Sequence, residues 1–145
     1  MDSVKVKGQV EIVITDANGN VTDEYKGSNL VTSLGQELMA DLIAGSGTAP
    51  SHLAMGDDTT SPAKSQTDLV GTEHERVSAT VSATNNVITV AATMGGSLGA
   101  PVTVGEFGIF NHASAGTLVA RFISPSFSLA ASSSLNITWT LQIGE

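Results

Sequence analysis

The sequence contains no cysteine, which excludes disulfide frameworks and thiolate metal sites and leaves the redox compartment unmarked. Cationic side chains are nearly as scarce. Six Lys and Arg stand against 14 Asp and Glu, for a formal net charge of -8. Phosphate backbones require clustered Lys and Arg, so no nucleic-acid partner is expected. Aromatic residues make up 4% of the chain and charged residues 14%, where an average soluble domain is roughly a quarter charged. No apolar run approaches the ~20 residues that span a bilayer, so no membrane partner is expected either. The opening "MDSVKVKGQVEIVI" lacks both the continuous apolar core and the small-residue cleavage site of a secretory signal, which points to a soluble protein made in the cytoplasm.

What fills the chain instead is Ser, Thr, Ala, Val and Gly, the vocabulary of short strands and turns. At 145 residues the length suits one domain, residues 1–145, with a proper core. Charge is unevenly placed. Beyond Arg76 the only charged side chains are Glu106, Arg121 and Glu145. A neutral, Ser/Thr-rich second half is either an ordinary β surface or one that lies against another protein, since charge is depleted at interface centres.

Period-two alternation marks most of the elements. In "VKVKGQVEIVITD" it puts Val4, Val6, Val10, Ile12 and Ile14 on one face, and Asn18-Gly19 then turns the chain into "VTDEYKG". In "RVSATVSATNNVITVAATM" a turn at Asn85-Asn86 pairs Ala83 with Ile88, Val81 with Val90, Ala79 with Ala92 and Val77 with Met94. In "LNITWTLQI" Leu135, Ile137, Trp139, Leu141 and Ile143 point inward. One helix stands out, near residues 33–44. Ser33 and Gln36 suit a capping box, Gly45 a C-terminal stop, and Leu34, Leu38, Met39, Leu42 and Ile43 an apolar stripe. "DTTSPAKSQTDLVGTEHE" reads as a long polar loop, and loops of that length in small domains usually serve a function. About eight strands and one short helix imply an all-β, antiparallel β-sandwich of jelly-roll-like topology. Leu38, Leu42, Phe107, Ile109 and Trp139 are expected in its core.

No motif brings chemistry with it. Asp16, Asn18 and Asn20 mimic the start of a calcium loop, but Val21 occupies the position that needs Gly and Gly27 the one that needs an acid, so a hairpin turn is expected. His52, His74 and His112 have no metal-site spacing. Asp57 and Asp58 are adjacent, and neighbours in an extended segment point to opposite faces. No G-x-S-x-G elbow or phosphate loop is present. No catalytic, cofactor or metal residue is therefore expected, and the protein reads as not an enzyme. A hydrolase would have to gather His74 or His112 with a serine and an acid through the fold.

Glu106 and Arg121 are the exception in the neutral half. If Asn111 pairs with Gly116 across the turn, Glu106 lies directly opposite Arg121, while Phe107 faces Ala120 and Ile109 faces Leu118. The expectation is a structural cross-strand ion pair, worth ~0.2–1 kcal/mol if exposed and more if a neighbouring subunit covers it.

Four stretches in order carry a resemblance. They are the opening hairpin running into "NLVTSLGQELMADLIAG", then "HLAMGDDTTSPAKSQTDLVGTEHERV", then "EFGIFNHASAGTLVARF", and the closing "LNITWTLQI". Together they cover most of the chain, and Gly-Asp-Asp-Thr-Thr-x-Pro followed by an acidic segment and Arg76 is the most specific part. The chain resembles small virion proteins of tailed bacteriophages, a group of capsid decoration (cement) proteins and tail-fibre-associated proteins. The resemblance implies a β-sandwich, usually a homotrimer, held on a larger symmetric lattice. The resulting expectation is a decoration protein on the virion's capsid surface, with itself and the major capsid protein as partners. The segment Met1–Lys7 (Val4, Lys5, Lys7) and the loop from Asp57 to Glu75 (Asp57, Asp58, Glu73, Glu75) are the expected capsid contacts. The alternative is a tail fibre or tail-associated adhesin that binds the host surface.

Overall fold

The computed structural model describes residues 4–144. Among the described residues ten strands, β1 (Val6–Thr15), β2 (Val21–Ser28), β3 (Leu30–Val31), β4 (His52–Gly56), β5 (Glu73–Ser78), β6 (Thr80–Thr84), β7 (Val87–Gly95), β8 (Val102–Phe110), β9 (Leu118–Leu129) and β10 (Ser134–Ile143), accompany one helix, α1 (Ser33–Ile43). They form two antiparallel five-stranded sheets, in the orders β2-β1-β10-β7-β6 and β3-β9-β8-β4-β5, and the fold is an all-β sandwich. We call these the first and second sheets. Four hairpins (β1β2, β4β5, β6β7, β8β9) each stay within one sheet, and the chain passes between sheets at β2–β3, β5–β6, β7–β8 and β9–β10.

The period-two patterns select the inner faces. Val10, Ile12 and Ile14 of β1 are buried against Leu135, Ile137, Trp139 and Leu141 of β10 and Val90 and Met94 of β7. Leu53, Met55, Phe107, Ile109 and Phe122 close the interior from the second sheet, with Phe122 edge-on to Trp139 at 6.4 Å between ring centres. Leu38, Phe107, Ile109 and Trp139 are buried as expected, and Leu42 is half-buried against the same core. Val4 departs from its expected face. It precedes β1 and stands 77% exposed.

The difference between ten strands and about eight has two causes. The two-residue β3 is too short to show a period. The arm read as one strand from Val77 to Ala83 breaks at Ala79: Thr80–Thr84 pairs with β7 in the expected register, while Val77 pairs with Leu53 in the other sheet. Val77 thus does not face Met94, whose partner is Leu135. The alternation runs through the break without a sign because both sheets bury the same inward face.

In the second sheet every residue of β8 from Val104 to Phe110 and of β9 from Leu118 to Phe122 is buried. A strand buried on both sides needs a layer over each. Outside this sheet that layer is α1 together with the segment 57–72. Leu69 from the segment packs with Ala54, Phe110 and Leu118. The N-cap of α1 falls one residue before the expected one: it is Thr32, whose hydroxyl accepts from the Gly35 N–H at 2.9 Å while donating to the Leu118 carbonyl. Thr32 prevails over Ser33 because only Thr32 is tied to β9 as well. Gly35 lies so close to the Val119 carbonyl that a β-carbon there would overlap it.

Candidate functional site

The buried outer face of the second sheet holds both charges of the neutral half. Glu106 and Arg121 are 0% exposed, and Arg121 Nε donates to Glu106 Oε1 at 3.1 Å. The expected ion pair forms, in a different register. Glu106 pairs with Ile123 and Gly108 with Arg121, so the two charges are diagonal neighbours, while Phe107 faces Phe122 and Ile109 faces Ala120. Two irregularities shift the ladder. One falls between Val104 and Glu106, where β9 carries Pro125, and the other at Ile109/Phe110 beside the turn. Proline lacks the ladder N–H, so a bulge is where a strand tolerates it. Within the chain, the long loop covers the pair.

Around this pair the loop's main chain is sorted by polarity. Glu106 accepts from three loop amides: Asp58 N–H (2.9 Å) and Gly71 N–H (2.8 Å) at Oε2, and Val70 N–H (2.8 Å) at Oε1. With Arg121 Nε these fill about four acceptor sites, the full capacity of a carboxylate. Arg121 donates to loop carbonyls, Thr60 O at 2.6 Å and Asp58 O at 3.3 Å, and to Gln66 Oε1 at 3.4 Å. A neutral sheet face offers nothing that can satisfy the amides and carbonyls of a loop laid across it. One buried acid and one buried base supply both. Gly71 is required by the same closeness, since a β-carbon there would strike the Asp57 carboxylate and Asp58. The middle of the loop is tied to the helix start, Ser33 N–H donating to Lys64 O at 2.9 Å.

The expected contact residues fall into two groups. Asp57 and Asp58 lie at the clamp and point apart. Asp57 accepts from Thr72 N–H at 2.8 Å and stands 3.7 Å from His74 Nε2, and Asp58 accepts from Thr60 N–H at 2.6 Å. Thr60's hydroxyl and amide, with Arg121 adding its charge, hold the Asp58 carboxyl below the usual carboxylate range. Glu73 grips Arg76 at 2.6 Å, and Glu75 accepts from Gly95 N–H at 3.0 Å. Arg76 lies 3.7 Å over the Phe110 ring and donates to the His112 and Ala115 carbonyls, so it fastens the β8–β9 turn as Arg121 fastens the loop. The other group, Val4, Lys5 and Lys7, lines a groove of about 730 Å³ against α1, where it meets Lys64. Met1–Ser3 of the expected segment lie outside the described residues.

Comparison with protein-family models, curated proteins and solved structures gives no match.

The histidines are dispersed. His74 Nε2 is 2.9 Å from the Thr103 carbonyl, beside Asp57. His52 lies between Ser51 Oγ (2.7 Å) and Ser78 Oγ (3.5 Å). Asp16 closes its turn by accepting from Asn18 and Asn20 N–H, which lowers its pKa, the Asn20 amide contributing most. Among the described residues no three His, Asp or Glu gather as a metal site.

Sequence reading missed two parts of this arrangement. The loop amides at Val70 and Gly71 carry no side-chain signal. The groove did have one: at 3.6 residues per turn, Leu34 and Ile43 are about 180° apart, a stripe too wide for one sheet to cover.

Proposed function

We propose that this chain is a non-enzymatic capsid decoration protein, a homotrimer bound to the major capsid protein on the virion surface. The observation that carries the reading is the outer face of the first sheet. Ser82, Thr89, Thr93, Asn136, Thr138 and Thr140 stand side by side on β6, β7 and β10 with no charge among them, and charge returns to this face only on β1 and β2, where Glu11 lies opposite Thr138 and Lys26 opposite Glu11. Charge-free polar faces suit contact with other subunits. The neighbouring edge strand β6, Thr-Val-Ser-Ala-Thr, is exposed throughout and carries no charge or proline to block pairing with another chain. Two arginine-held loops give a stiff surface, and symmetry then repeats weak contacts into avidity.

The adhesin alternative gains no such observation. Among the described residues the exposed large hydrophobics are all aliphatic, whereas sugar grooves rely on exposed aromatic rings. The test is to add purified protein to capsids that lack it. Saturable binding at symmetric lattice positions, seen by cryo-electron microscopy together with a trimeric mass in solution, is expected. Binding only to tails or to host cells refutes the proposal.

A further inference from the structure

The groove between α1 and the start of β1 has a composition at odds with the rest of the molecule. Lys5, Lys7 and Lys64 line it, three of the four lysines of a chain whose net charge is -8. Among the described residues no acidic one lines it. Between the lysines lie aliphatic side chains, and two of them, Ile43 at 87% and Val4 at 77%, are the most exposed large hydrophobics described. Helix geometry explains the opening. Leu38, Leu42 and Gly35 occupy the flank of α1 turned to the sandwich, which leaves Met39 and Ile43 on the groove side. Asn29 also lines the groove, and both polar atoms of its carboxamide are buried without a partner among the described residues. Buried polar atoms are seldom left unpaired.

An aliphatic trough rimmed by ammonium groups fits a particular occupant. We propose that the groove docks an acidic, aliphatic segment of a partner protein, its Ile, Leu or Val side chains filling the trough and its carboxylates meeting Lys5, Lys7 and Lys64. The net charge of the molecule argues against large polyanionic surfaces. Nucleic acid or an anionic bilayer extends well beyond the lysines and meets the remaining acidic surface. A short segment stays within about one Debye length, ~8 Å, of the three cations. A second copy docking by a two-fold axis would set lysines against lysines, because such contacts put the same patch on both partners. The inference stands independently of the capsid reading, since it concerns only what the groove binds.

The probe is a short peptide alternating Glu with Ile, compared with its counterpart alternating Lys with Ile, each titrated into the full chain while methyl NMR follows Val4, Met39 and Ile43. Saturable shifts at these methyls are expected with the acidic peptide and none with the basic one. Raising salt from ~0.1 M to ~1 M shortens the Debye length from ~10 to ~3 Å and should weaken binding at least tenfold. Ile43→Asp should also weaken it at least tenfold. The triple variant K5E/K7E/K64E should reverse the preference, binding the basic peptide. All four residues are exposed, so these variants keep the fold, which the emission of Trp139 checks. Equal binding of both peptides overturns the proposal, as does absence of shifts at the groove. It is equally overturned if Val4 and Ile43 respond only to vesicles of equal phosphatidylserine and phosphatidylcholine, or only to concentration-dependent self-association.

Discussion

Replacing Arg121 with methionine removes the cation from a carboxylate that has no access to water. Glu106 then keeps its three loop amides but loses its ion-pair partner, and the Thr60 and Asp58 carbonyls lose their donor. Breaking a buried pair from one side costs about 3–5 kcal/mol, far above the ~0.2–1 kcal/mol of an exposed pair. At about 2–4 °C per kcal/mol for a domain of this size, Arg121→Met should lower Tm by roughly 10 °C. The only tryptophan of the chain, Trp139, is fully buried, so its emission reports the transition.

A local assay separates the loop from the whole. Lys64 is exposed at the middle of the clamped loop, and trypsin should cut after it at least tenfold faster in Arg121→Met under native conditions. The decisive comparison is the double variant E106L/R121M. Buried pairs can often be exchanged for apolar residues at no loss. Here the exchange leaves three amides and two carbonyls of the loop without partners, at about 1–3 kcal/mol for each one that stays buried, so the double variant should remain well below wild type. A Tm within ~2 °C of wild type for Arg121→Met, or full recovery in the double variant, would refute the clamp.

Three further outcomes follow from the same geometry. Thr32→Ala should cost about 1–2 kcal/mol as the loss of a helix cap, and Ser33→Ala less than about 0.5 kcal/mol, by urea unfolding. Gly35→Ala, which favours an isolated helix by about 1 kcal/mol, should instead destabilise by about 1–3 kcal/mol through overlap with the Val119 carbonyl. The Asp16 and Asp58 carboxyls are held below the usual range in the fold. Their contribution is therefore complete above the unfolded value of about 3.9 and lost as pH falls through their lower folded values. Asp58→Asn should flatten the decline of the urea midpoint below pH about 4 and leave the slope between pH 5 and 7 unchanged.

Where one face of a strand is buried and the other wet, the sequence could be read directly. Val10, Ile12 and Ile14, and Leu135 to Leu141, alternate because the first sheet has solvent outside it. The β6–β7 register was legible from Val81 and Val90 for the same reason. The second sheet was harder, because its outer face is covered and its strands are apolar on both sides, so the pattern no longer distinguishes one register from another. The predicted Glu106–Arg121 contact formed although its register was off by two residues. A shift of two keeps each side chain on the same face, and long side chains reach a diagonal neighbour.

That tolerance explains why a charged pair suits this position. A loop crossing a buried sheet face must satisfy amides and carbonyls that arrive at irregular intervals, and a second strand edge would satisfy them only in regular order. A carboxylate accepts from about four directions and a guanidinium donates in five, so one such pair can serve a chain of no fixed repeat. The same economy leaves the loop's outward side chains free of structural duty. Lys64 is held by its carbonyl to the helix, so its side chain reaches the groove from an anchored backbone. Clamp and groove are then coupled: in Arg121→Met the freed loop should withdraw Lys64 from the groove, and binding of an acidic peptide there should weaken even at temperatures where the sandwich remains folded.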